Sequence, residues 1–300
     1  MSPLRRFLAG FGLVVAPLAL ALGCTSDTGP RSVGALGRSG PEAAAAGEEH
    51  THTHEGADDL PPAGDGTEAY EIGYTLRDVT LPGEAGVPGR MSFSIEDYRG
   101  RPQTGFLEEQ TKTMHVYVVR EDLAVFRHVH PQMRPDGTWV GNLTLPEPGS
   151  YRVVAEFMAR DEGGDGDFVM LGGRVTVPGT WTRQPAPPAT GEAEDWGVAI
   201  ATVGPVVSGD DGELRLRLTT PSGAAPRIGQ YLGTSAHVTG FHVDTGGAVH
   251  MHPLGSPTTS EDALELTFHT QLPETGKYLL FVQVRVDDFL HTLPLVVSAR

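Results

Sequence analysis

The chain has 300 residues, a formal net charge of −16 and a pI near 5.1. Such an acidic balance excludes nucleic-acid binding driven by counterion release and suits a protein that gathers cations near its surface. With 39 Gly, 24 Pro and few long helical patterns, the sequence predicts a mostly β protein.

At the N-terminus, Arg5 and Arg6 precede an apolar run over 7–22 that ends in small residues and the only cysteine, Cys24. A charged start, a short apolar core and a small residue before the cut predict a secretory signal over 1–23. The run is short for a spanning helix. Ala21, Leu22, Gly23 and Cys24 resemble the lipobox of bacterial lipoproteins, although that pattern prefers Leu at the place of Ala21. The resemblance implies a lipidated Cys24 as the mature first residue and a membrane anchor outside the cytoplasm. A lipidated Cys24 leaves no thiolate, which removes blue-copper centres, thiol nucleophiles, Cys-ligated zinc and disulfides. Only His, Met, Asp and Glu then remain as ligands.

Residues 24–67 are rich in Gly, Ala, Ser, Glu and Pro and poor in large apolar side chains, so a disordered tether is expected. Within it His50, His52 and His54 alternate among acidic residues. Such a tract either binds metal weakly without fixed geometry or serves as a solvated spacer.

Two similar modules follow, over 68–177 and 195–300, joined by a Pro-rich linker at 178–194. Both run in the same order: an opening strand, a second strand, a loop, a histidine segment, a Gly-aromatic turn (LPEPGSY, LPETGKY) and closing strands. Seven or so short strands with Gly and Pro turns predict two tandem immunoglobulin-like β-sandwiches.

In each module a histidine is followed, after twelve intervening residues, by His-x-His-Pro: His115, His128, His130 and Pro131, then His237, His250, His252 and Pro253. Aligned over 112–131 and 234–253, the copies agree at six positions, and three are these histidines. If each segment is a hairpin with loops at 120–123 and 242–245, His115 faces His128 and His237 faces His250. The third histidine then lies on the same face. The opposite face, with Val116, Val118, Val125 and Val129, then Val238, Val249 and Met251, suits a core. Three neutral imidazoles per module suit copper, zinc or nickel. Met114, Met133 and Met251 lie near in sequence and favour copper, because thioethers select Cu(I), although alternation turns Met251 into the core. The competing reading makes the histidines packing residues that bond nearby carbonyls, with the proline ending the strand. Asp122 and Asp244 fit turn positions, and His269 and His291 read as incidental.

The H-x12-H-x-H-P pattern and the Gly-aromatic turn resemble bacterial secreted and lipid-anchored proteins with immunoglobulin-like or cupredoxin-like folds, of the YtkA-like, heavy-metal-binding type. That resemblance implies metal handling. The sequence-based expectation is a non-enzymatic, lipid-anchored cell-envelope protein that binds a transition metal, with copper the first candidate, for buffering, delivery to an envelope partner or resistance. The alternative is a structural pair of modules that presents loops to another protein. A copper-dependent oxygenase is a weaker third reading, since such enzymes are generally rich in disulfides. There is no G-x-S-x-G elbow, H-E-x-x-H helix or phosphate loop. The acidic stretch 161–167 lacks the ligand series of a calcium loop.

Overall fold

Alternation of apolar and polar residues sets most of the strands. In Leu264–Leu272 every second residue is buried and those between are half-buried, the period of a sheet with one face on a core. Gly89–Glu96 does the same with Met91, Phe93 and Ile95. The computed structural model describes residues 61–300, and every named element among them is a strand. The double β-sandwich expected from the sequence is what forms.

In the first module one sheet orders Tyr70–Glu71, Tyr74–Thr80, Gly89–Glu96, Thr138–Leu143 and Gln132–Met133. The other orders Gly166–Val177, Gly149–Arg160, His115–Arg120 and Phe126–Val129. Between them lies a core that includes Met91, Phe93, Val116, Val118, Trp139 and Phe157. The second module repeats the plan around Leu216, Val238, Met251, Phe268, Leu280 and Leu295. Its strand Ala248–Pro253 pairs with His237–His242 in one sheet and, at His252 and Pro253, with Leu264–Leu272 of the other.

The histidine strands break the alternation. His115–Arg120 and His237–His242 are buried at every position, so both their faces are covered. One face meets the module's own core, where the valines expected there do lie. The other meets the opposite module. At that seam a third apolar cluster joins Tyr117, Val119, Phe126 and Met170 to Phe241, Ala248, Leu279 and Phe281. Phe126 and Phe281 stack with ring centroids 3.9 Å apart and planes within 5°. Truncating a buried phenylalanine costs about 3–5 kcal/mol, so this half of the seam accounts for much of the docking of the modules.

The folded region begins earlier than the tether boundary at 67 predicted. Residues 63–67 form a strap: Ala63 pairs in parallel with Val169, Gly66 N–H donates to Met170 O, and the Asp65 carbonyl accepts from Ala248 N–H at 2.8 Å across the seam. Composition misled here because small residues are what the seam admits. A Cβ on Gly172 would stand 1.7 Å from the Gly66 carbonyl oxygen. The linker is also fastened, since Gln184 N–H donates to the Asp122 carboxylate (2.9 Å) and Trp181 lies against Arg120. Cys24, the signal and His50, His52 and His54 lie outside the described residues.

Candidate metal centre between the modules

The hairpin register differs from the expected one. Arg120 N–H donates to Val125 O at 2.9 Å, so the loop is 121–124 and His128 pairs with Tyr117, while His115 does not face it directly. In the second module His250 likewise pairs with Thr239 and not His237. The first turn explains itself. Asp122 accepts from Arg120 Nε–H (2.8 Å) and Ala124 N–H (3.2 Å), while Leu123 takes a left-handed φ of 62°. This draws Ala124 into the turn and leaves Arg120 in the strand, buried and also paired with Glu147. The slip is two residues, an even number, so every side chain keeps its face. The histidines therefore still converge, with His130 now beside His115 (ring centroids 5.0 Å).

They form one cluster, a point the sequence left open, since the two copies could hold an ion each or share one across the modules. His128 and His237 rings, from different modules, are 4.6 Å apart, and His115 and His237 are stacked within 9° at 5.5 Å. His250 lies 4.8 Å from His237 and 4.8 Å from His252. His115 and His237 are 1% and 0% exposed. One nitrogen from each of His115, His128 and His237 lies within 4.8 Å of the others, close enough for the three to hold a metal ion.

Proton accounting sharpens the trio. A neutral imidazole carries one N–H. His115 Nε2–H donates to the Glu109 carbonyl oxygen at 2.9 Å, an atom that can only accept. His128 Nδ1–H donates to Gln283 Oε1 at 2.7 Å, and His237 Nδ1–H to Gln110 Oε1 at 2.6 Å. The lone pairs are thus left on His115 Nδ1, His128 Nε2 and His237 Nε2, and the first two face each other at 3.1 Å. His237 Nε2 lies 3.2 Å from both the Tyr117 and the Thr239 hydroxyls, and Tyr117 also hydrogen-bonds Glu156. His250 is engaged at both nitrogens, with Glu156 Oε1 at 2.5 Å and Gln110 Nε2 at 2.8 Å. His130 Nε2 is buried with no hydrogen-bond partner among the described residues.

Electrostatics keeps most of the cluster neutral. Burial, with some repulsion from neighbouring imidazoles, holds His115 below its ordinary value, His128 and His237 well below it, and His130 down to about 4. His250 is the exception. Burial pushes it down, but the Glu156 charge and hydrogen bond outweigh that and raise it. For Glu156, itself 0% exposed, burial pushes up and the pull of His250 wins, leaving the carboxyl below its ordinary value.

One family model, described as a domain of unknown function (DUF8832), matches residues 69–170 and again 192–300. The chain belongs to the DUF8832 family. The two matches fall on the two sandwiches that share the cluster, so the family domain occurs here as a tandem pair. No curated protein matches the chain. Solved structures it is similar to include invasin, a bacterial integrin-binding protein (14% identity, TM-score 0.21, 76% of this chain and 39% of that one). Others are E. coli alpha-2-macroglobulin (12%, 0.23, 81% and 16%) and a Corynebacterium diphtheriae protein described as membrane anchored (11%, 0.21, 76% and 58%). The chain spans under two thirds of each, and likenesses this loose say nothing of activity.

Several DUF8832 residues at the seam were not singled out by sequence reading: Gln110, Glu156, Thr239 and Gln283. Their signal was weak, since it rests on pairing between distant strands, His115 with Glu156 and His237 with Gln283. The methionine expectation fails. Met114 and Met251 are 1% exposed within the two module cores, and Met133 packs on the first core, so alternation turns these thioethers away from the imidazoles. His291 bonds Asp195 at 3.1 Å and His269 lies 3.6 Å from Asp211, both apart from the trio.

Proposed function

We propose that the two modules jointly hold one transition-metal ion, with His115, His128 and His237 as ligands and His130 beside them as a fourth donor. The observation that carries this reading is the pair of lone pairs facing each other at 3.1 Å between His115 and His128. Two buried acceptors with no proton between them repel unless a cation lies between. Metal–nitrogen bonds of about 2.0–2.1 Å place tetrahedral ligand atoms roughly 3.3 Å apart, so the His115–His128 pair is already spaced for an ion and His237, within 4.8 Å, needs only to close in. Neutral imidazoles accept copper, zinc and nickel, and copper leads on the general order of divalent affinities alone. The burial of the trio favours holding an ion over catalysis, because catalytic sites keep an open position. With the lipobox-like Cys24, the reading is of a non-enzymatic, lipid-anchored envelope protein that buffers copper, passes it to an envelope partner or confers resistance.

The test is calorimetric titration of the whole chain with Cu(II), Cu(I) and Zn(II), with His50, His52 and His54 changed to Ala so that the N-terminal tract contributes nothing. One ion per chain is expected, lost on adding His128→Ala or His237→Ala. Absence of saturable binding tighter than about 10 μM, roughly 7 kcal/mol, would overturn the reading. It would favour architectural histidines in a protein-interaction module pair, a reading supported by the apolar half of the seam, which docks the modules without an ion.

A further inference from the structure

The trio includes only one histidine of the second module, although His250 lies as close to His237 as the others do to one another. Glu156 accounts for this. It stands on Gly149–Arg160, in register with His115, and crosses the seam to His250 Nδ1. The mirror contact is His128 Nδ1 to Gln283 Oε1, so each module's middle histidine is bonded by the long strand of the other. Only one of these two acceptors is a carboxylate.

The bonds then continue in one direction. A carboxylate only accepts, so His250 Nδ1 must carry a proton. Neutral His250 then has its lone pair on Nε2, where the Gln110 amide N–H donates. That orientation turns Gln110 Oε1 toward His237, which must present Nδ1–H. The remaining nitrogen, His237 Nε2, is left with a lone pair, beside the Tyr117 and Thr239 hydroxyls. The second module has no such bridge, since Leu232 occupies the turn position corresponding to Gln110, also with positive φ (55° against 44°).

We infer that Glu156 and Gln110 are positioning residues that, through His250, hold His237 in the tautomer able to bind an ion. This rests on the metal-site reading and deepens it, yet it concerns the metal-free protein as well. Partners of this kind, which orient metal-ligating histidines, alter metal affinity by about 10–100-fold when removed.

The experiment is a long-range proton–nitrogen correlation spectrum of the metal-free whole chain at pH 8, with His237 assigned by His237→Gln. His237 should show a protonated Nδ1 and an unprotonated Nε2. Gln110→Leu, which copies the residue the fold already accepts in the other turn, should lose that preference and weaken binding of Cu(II) or Zn(II) at least tenfold. Glu156→Leu should do the same, whereas Glu156→Gln, which still accepts from His250, should restore the tautomer. A protonated Nε2 in the parent protein, or a tautomer unmoved by Gln110→Leu, would overturn the inference. A correct tautomer with no metal bound would support it while the metal reading failed.

Discussion

The first hairpin contributes both His115 and His128 to the central trio, whereas the second contributes only His237. The two carry the same histidine spacing on the same scaffold, so the imidazoles do not make the difference. It lies one layer out, where Glu156 faces Gln283 across the pseudo-symmetry and Gln110 faces Leu232. Where a carboxylate and a glutamine engage His250 at both nitrogens, that imidazole is withdrawn. Where the acceptor is a neutral amide, His128 keeps a lone pair for the centre.

The largest expected effect on this balance is that of acid. His115, His128, His130 and His237 are held below about 6.5 when folded, so the unfolded chain binds more protons below that pH. Their contribution is therefore full above about pH 6.5 and is lost as pH falls through their lowered folded values, about 4 for His130. His250 has the opposite sign, since its raised value adds stability below about pH 6.5 that fades as pH rises through its folded value. The lowered Glu156 contributes above about pH 4.5 and is lost as pH falls through its folded value. Four groups against one make thermal unfolding temperature fall from pH 7.5 to 5, and a flat or rising profile would contradict the neutral cluster.

Next in size, Phe126→Ala or Phe281→Ala removes the stacked pair at the apolar half of the seam. Denaturant unfolding should register a loss of about 3–5 kcal/mol, with the trio's metal affinity falling in parallel because its ligands come from both modules. The comparison itself is tested by His128→Ala against His250→Ala. The first deletes a ligand and should cost a hundredfold or more in metal affinity, about 3 kcal/mol. The second deletes only a supporting residue and should cost about tenfold. Equal losses would mean the halves are functionally alike. The smallest expected change comes from Gln283→Glu, which gives His128 the partner His250 already has. The carboxylate would raise the His128 value as Glu156 raises that of His250, so protons would compete better for His128 Nε2 and metal affinity at pH 7 should drop about tenfold.

Much of this was legible in the sequence, and the limits have physical causes. Alternation over 91–95 and 214–218 announced the sandwiches, and the paired histidine segments announced that imidazoles share a face. The register was missed because the Arg120 and Asp122 pairing that shapes the turn is a local ion pair that periodicity does not encode. Whether the two patches stayed apart or merged was left open, because alternation shows which residues share a face but not what covers it. A clue was present, since Tyr117, Val119, Phe126 and Phe241 share the histidine faces and large apolar side chains there require a cover. Glu156 and Gln283 were beyond reach, because each matters only through a partner about a hundred residues or more away.

The strap at 63–67 carries a mechanical corollary. Three backbone hydrogen bonds fasten it to 168–170 of one module, and the Asp65 carbonyl fastens it to Ala248 of the other. Tension arriving along the backbone from ahead of residue 61 is therefore delivered to the joint between the sandwiches and not into either core. Those few bonds would yield well before the twelve-residue ladder between Gly149–Arg160 and Gly166–Val177, so under load this protein would give way first at the edge of its own histidine seam.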